Sequence, residues 1–156
     1  MRRRRMVRQA TTGFSAIELL TILVIVGVLA SLAAPSMGAL VARTATRRAL
    51  DQLVSDVAYV RMLAVEQGHR TAIRLGTDGV YRLETFDEDG TWKTVRRVDL
   101  QANHPHVEFA GGAASLEFSS RGLITNLAAD SHLKLRRGSA RDSAYVSPAG
   151  RVYRDF

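Results

Sequence analysis

The sequence predicts an α+β chain: one long N-terminal helix, half transmembrane and half amphipathic, packed on a C-terminal antiparallel β-sheet domain of about eight short strands. Three observations lead there. A run without a charged residue extends from Leu19 to Ala42, long enough at about 1.5 Å per residue to cross a hydrocarbon core of roughly 30 Å. Apolar residues then recur at steps of three and four as far as Ala64, the period of a helix with one buried face. After Gly68 the pattern becomes short alternating segments divided by turn residues, the period of strands.

Taken in order, Phe14 to Ala34 is apolar apart from Ser15, Glu18, Thr21 and Ser31. Arg2, Arg3, Arg4, Arg5 and Arg8 precede this segment, and an excess of positive charge keeps that side cytoplasmic. The rest of the chain is then expected outside the cytoplasm. Pro35 lacks a backbone donor, so a kink or loosened turn is expected there. Leu50, Leu53, Val57, Val60 and Ala64 form the apolar stripe of the second half, with Arg47, Asp51 and Ser55 opposite. The stripe is read as packing beneath the protein's own sheet, and Gly68 as the helix stop. Strands are expected at Thr71–Leu75, Val80–Phe86, Trp92–Val98, Val107–Phe109, Leu116–Phe118, Leu133–Arg136, Tyr145–Ser147 and Arg151–Tyr153. Asp89-Gly90 marks one hairpin turn, and Ser147-Pro148-Ala149-Gly150 connects the last two strands. One or two antiparallel sheets on the helix follow.

Composition excludes several classes. The chain has 156 residues and no cysteine, which removes disulfides, thiolate metal sites and a cysteine nucleophile. The net charge of +7 rests on 22 basic and 15 acidic residues. Setting aside the five leading arginines leaves 17 against 15, a net of +2, so global charge does not argue for nucleic acid. His104 and His106 flank Pro105 without a third ligand of metal spacing and read as solvated loop histidines. Asp87-Glu88-Asp89-Gly90 reads as an acidic hairpin turn, since the remaining ligands of a calcium loop are missing. No nucleophile elbow, phosphate loop or dinucleotide fingerprint occurs. No enzyme, cofactor or metal is expected.

One basic cluster stands out. Lys134, Arg136, Arg137, Arg141, Arg151 and Arg154 lie near Tyr145, Tyr153 and Phe156, a composition that suits phosphates and stacked bases. Asp142 and Asp155 dilute it, and a mixed-charge sheet face against neighbouring subunits is the preferred reading. On a strand, Arg151 and Tyr153 share one face and Arg154 points to the other.

Two readings compete for the N-terminus: a secretory signal cut near Ser31-Leu32-Ala33, and a leader cut before the apolar run. Glu18 favours the second, because an ionisable group in an apolar segment is costly and calls for a partner. Gly13-Phe14-Ser15-Ala16-Ile17-Glu18-Leu19-Leu20 resembles the processing site of type IV prepilins and type II secretion pseudopilins. Leu50 to Gly68, Phe118-Ser119-Ser120-Arg121-Gly122 and Gly150-Arg151-Val152 are similar to members of the GspH/FimT type. The resemblance implies a leader over 1–13, cleavage after Gly13 by a prepilin peptidase, and methylation of Phe14. It also implies a transmembrane helix half over 14–42, an amphipathic half over 43–68, and a periplasmic head over 69–156. Glu18 would neutralise the new amine of Phe14, and Pro35 matches the family's helix-loosening proline.

The implied function is that of a structural subunit, a minor pilin or pseudopilin of a type II secretion pseudopilus or type IV pilus. It would be held in the inner membrane before assembly. Its partners would be other pilins, the prepilin peptidase and an inner-membrane assembly platform. Some FimT-like members bind DNA through Gly-Arg-x-Arg, and DNA capture for uptake is the alternative. Here the segment reads Gly150-Arg151-Val152-Tyr153-Arg154, one residue longer.

Overall fold

The computed structural model describes residues 14–76, 79–126 and 131–155, and inside the first helix the side chains of 32–36 are outside that description. The chain divides into two units, one ending at Met37 and one beginning at Gly38. Helix α1, Ala16–Gln67, supplies residues to both.

In the first unit, Ser15 starts the helix. Its carbonyl accepts from the Glu18 and Leu19 amides at 3.0 and 3.2 Å, and its hydroxyl lies 3.4 Å from the Ile17 amide. Glu18 sits in the first turn, where a carboxylate complements the helix dipole. From Ile17 to Ser31 every side chain is exposed, so the helix is apolar on all sides and has no intrachain core there. Its hydroxyls turn back on the backbone: Thr21 donates to the Ile17 carbonyl at 2.8 Å and Ser31 to that of Val28 at 2.7 Å. This satisfies them without water. Among the described residues no helix is long and apolar enough to cross a membrane. The helix runs unbroken through Pro35. One proline removes a single i→i−4 bond, and the turns on either side keep theirs.

The second unit has its own core. The stripe Leu50, Leu53, Val57, Val60 and Ala64 is fully buried. It meets Ile73, Tyr81, Leu83, Leu116 and Phe118 from one sheet, and Leu133, Leu135, Ala144 and Val146 from another, in one continuous cluster. Each Leu or Val so placed contributes about 1.5–3 kcal/mol. α1 ends where Gly68 takes a positive φ of 70° and its amide closes on the Ala64 carbonyl at 3.1 Å.

Eight strands follow, in two four-stranded antiparallel sheets. They are β1 Thr71–Leu75, β2 Val80–Phe86, β3 Trp92–Asp99, β4 Glu108–Gly112, β5 Ser115–Phe118, β6 His132–Arg137, β7 Ala140–Val146 and β8 Val152–Arg154. The first sheet runs β3-β2-β1-β5 and the second β4-β6-β7-β8. A short helix α2, Leu100–Asn103, was not expected. Asp99 caps it through its side chain, and Leu100 is buried beneath.

Two glycine-ended turns dock on one arginine of α1. Arg61 donates from Nε to the Gly122 carbonyl at 3.0 Å. A Cβ on Gly150, where φ is 70°, would stand 2.7 Å from the Gly122 carbonyl oxygen and 2.9 Å from Cδ of Arg61. Only glycine tolerates both the conformation and the approach. The Ile124 amide also reaches the Pro148 carbonyl at 3.1 Å, tying the second sheet's last hairpin to the first sheet.

Candidate functional site

Gly13 lies outside the described residues. Phe14 is 75% exposed, and Glu18 is exposed with no cation paired to it among the described residues. Phe14 lies two residues before α1 begins, and Glu18 lies in its first turn.

The basic C-terminal residues do not converge. Leu133 and Leu135 of β6 face the core, so His132, Lys134 and Arg136 alternate onto the outward face. The register sets Tyr145, Ser143 and Arg141 of β7 opposite them, and Tyr153 of β8 opposite Tyr145. Arg137 pairs with Ala140 and Arg154 with Ala144, both on the other parity.

Arg154 is held inward: 3.0 Å from Asp51 of α1, 3.1 Å from Asp142 and 3.3 Å from the Arg47 carbonyl. With its side chain 23% exposed, it clamps β8 to the helix. Arg136 pairs with Glu108 at 3.1 Å. Arg151 and Tyr153 are exposed.

The outward face is thus mixed in charge but carries an aromatic ladder. The ring of His132 lies 5.4 Å from that of Tyr145, and Tyr145 stacks on Tyr153 at 6.5 Å with planes 26° apart. Beside it a shallow groove of about 590 Å³ is lined by Lys134, Arg136, Arg141, Ser143 and Asp155, among others. His132 was not anticipated there; its place follows only from the register.

A buried polar chain crosses from α1 to the first sheet, and the sequence did not announce it. Asp56 is only 7% exposed. It accepts from the Tyr81 hydroxyl and from Arg96, whose guanidinium also lies over the Tyr59 ring. Gln52 lies 3.4 Å from the Tyr81 oxygen and 3.0 Å from Nε2 of His104. Burial, reinforced by the Asp56 hydrogen bond, pushes the Tyr81 hydroxyl well above the usual tyrosine range. Burial, then the nearby Arg48, pushes His104 below the usual histidine range. His104 is a partly buried loop histidine in contact with Gln52, less solvated than the sequence predicts. His106 is exposed in a left-handed conformation, φ 65°. A carboxylate one position before Val57 of the buried stripe was the signal that could have revealed this network.

Asp87 pairs with Lys93 across its hairpin turn, and that contact holds its carboxyl below the usual range. Among the described residues no three metal-ligating side chains cluster.

No protein-family model and no curated protein matches the chain. Among solved structures it is similar to the type IV minor pilin FimU of Pseudomonas aeruginosa, strain PAO1. The TM-score is 0.57 at 16% identity, covering 73% of this chain and 90% of that one. It is also similar to the minor pseudopilin EpsH from the type 2 secretion system of Vibrio cholerae. There the TM-score is 0.56 at 11% identity, over 70% of this chain and 95% of the other. At such identities the likeness is one of fold. The chain has a type IV pilin-like fold, of the kind seen in minor pilins and minor pseudopilins.

Proposed function

We propose that the chain is a minor pilin or pseudopilin, a structural subunit rather than an enzyme. It would be cut after Gly13, methylated on Phe14 and built into a pseudopilus or pilus through α1. The observation that carries this reading is the contrast along one helix. The first part is apolar on every side and exposed, whereas the second part is the core of its own head. Exposed apolar surface of that extent calls for lipid or for other helices.

The membrane placement rests on the sequence, which carries the uncharged run on through Leu32, Ala33 and Ala34 to Ala42. The subunit waits in the inner membrane with its N-terminus cytoplasmic and its head periplasmic. Glu18 pairs with the amine of Phe14, in its own chain or a neighbour's. Either charge alone is expensive in a helix bundle and the pair is not. Pro35 is assigned to helix packing in the filament. The other partners are the prepilin peptidase and the assembly platform.

The test is co-expression with a prepilin peptidase, followed by mass spectrometry of the N-terminus and crosslinking to the other pilins. Gly13→Ala should retain the leader. Glu18→Ala should be processed and inserted but lost from filaments. Filament incorporation undiminished by Glu18→Ala would defeat the assigned role.

A second reading, DNA capture for uptake, is favoured by the His132–Tyr145–Tyr153 ladder with Lys134, Arg136, Arg141 and Arg151 around it. Base stacking contributes about 1–3 kcal/mol per base. DNA binding that weakens with salt and with Arg136→Ala/Arg141→Ala/Arg151→Ala would support it. Arg154 and Arg137, on the other parity, are not suitable probes.

A further inference from the structure

The α1 turns that follow the uncharged run carry three arginines and no acid before Asp51: Arg43, Arg47 and Arg48. All three are exposed. Among the described residues none of their guanidinium groups has a carboxylate partner, and Asp51 is occupied by Arg154 at 3.0 Å. The local positive charge is therefore unspent.

Two adjoining clefts share Leu40, Thr44 and Arg48. One, of about 460 Å³, is lined by Leu40, Arg43, Thr44, Arg47, Arg48 and Asp51. The other, of about 350 Å³, adds Val41, Ala45, Asn103 at the end of α2, and the loop residues His104 and Pro105. Leu40 and Val41 are exposed large apolar side chains. Thr44 donates its hydroxyl to the Leu40 carbonyl at 2.9 Å, so it does not compete for a ligand.

We propose that Arg43, Arg47 and Arg48 form a collar that binds the phosphate of an anionic phospholipid, with Leu40 and Val41 against its glycerol and first methylenes. The inference rests on the membrane placement proposed above. The uncharged run Leu19–Ala42 is 24 residues, about 36 Å of helix, so a hydrocarbon core of roughly 30 Å can extend to Ala42, and the headgroup layer follows. Arginines a few residues further on reach back to that layer through their apolar stems. The apolar floor decides between ligand classes. A nucleic acid backbone offers nothing for Leu40 and Val41, whereas a phospholipid offers both a phosphate and a hydrocarbon.

The collar is tested on the full chain in neutral detergent micelles, titrated with fluorescent phosphatidylglycerol and, in parallel, phosphatidylcholine. Arg43→Gln/Arg47→Gln/Arg48→Gln is run beside it, and Arg82→Gln/Arg97→Gln/Arg121→Gln serves as a control of equal charge change. The leading arginines are the same in all three proteins, and circular dichroism checks that each is folded. Phosphatidylglycerol affinity should fall roughly fivefold per collar arginine, about a hundredfold in all, and should be unchanged in the control. Equal affinity of wild type and collar variant overturns the proposal and leaves these arginines to carboxylates of neighbouring subunits. Competition by inorganic phosphate as strong as that by the lipid overturns the lipid assignment. Flotation with neutral phosphatidylcholine vesicles separates the two layers of argument. A chain that fails to float sinks the membrane placement and the collar together; one that floats without preferring phosphatidylglycerol sinks the collar alone.

Discussion

Removing the Asp56 carboxylate should cost the second unit about 2–3 kcal/mol, mostly through the tyrosine it leaves behind. Tyr81 is fully buried. Without Asp56 its hydroxyl keeps only Gln52, at a long 3.4 Å. A buried hydroxyl stripped of its partner costs about 1–3 kcal/mol. Arg96 adds less, because its side chain is 48% exposed and water takes the place of the carboxylate. Its share is about 0–1 kcal/mol, the range of exposed ion pairs. Tyr81→Phe removes the hydroxyl instead and leaves Asp56 paired with Arg96, so it should cost about 1 kcal/mol.

The two changes should not add. Phenylalanine in the Asp56→Ala background removes the stranded hydroxyl, so the double variant should be no less stable than Asp56→Ala. Urea unfolding followed by circular dichroism gives all four free energies and their coupling, which residues in direct contact place at about 0.5–3 kcal/mol. A loss under about 0.5 kcal/mol for Asp56→Ala, the range of ordinary surface changes, would refute the reasoning. So would strict additivity.

The same tyrosine predicts an alkaline limit. Its folded pKa is raised, so the folded state holds the proton longer. Its contribution is fully present below the ordinary tyrosine pKa of about 10 and is lost as pH rises beyond it. Tyr81→Phe should flatten that decline in unfolding measured against pH. Gly150→Ala should destabilise by about 1–3 kcal/mol, from strain at φ 70° and collision with Gly122 and Arg61; a thermal melt unchanged within error would contradict the contact. Arg154→Ala should speed hydrogen exchange along β7 and β8 by releasing Asp51 and Asp142. If it instead lowered DNA affinity with exchange unaltered, the clamp assignment would be wrong.

Most of the fold was legible because it is written in local periodicity. The stripe from Leu50 to Ala64 needs only the 3.6-residue repeat to declare its buried face, and β1 and β2 begin and end at the expected residues. α2 escaped because four residues show no period; its only sequence mark is the Asp99 cap. The candidate site was less legible for a different reason. Parity along one strand correctly separated Arg151 and Tyr153 from Arg154, but it could not say what Arg154 would meet. Asp51 lies a hundred positions earlier, and that pairing depends on where β8 docks against α1. His132 joined the aromatic ladder by register between strands, which local pattern does not encode. Arg61 was invisible for the same reason, although both glycine turns that close on it had been singled out.

These long-range contacts bear on how the chain works. Arg61, Arg154, Asp56 and the buried stripe all spend their interactions inside the second unit, so its stability needs no neighbour. Glu18 and the exposed apolar side chains up to Ser31 lie outside that unit, and the guanidinium groups of Arg43, Arg47 and Arg48 have no carboxylate partner among the described residues. In water such an apolar surface is unfavourable by about 25 cal/mol for each Å² left exposed. Under the proposed function, that surface would be buried first in lipid and then against other helices. Such a transfer would exchange one apolar environment for another. The charged groups at either end of the apolar run, Glu18 and the three arginines, are then the ones whose partners must change.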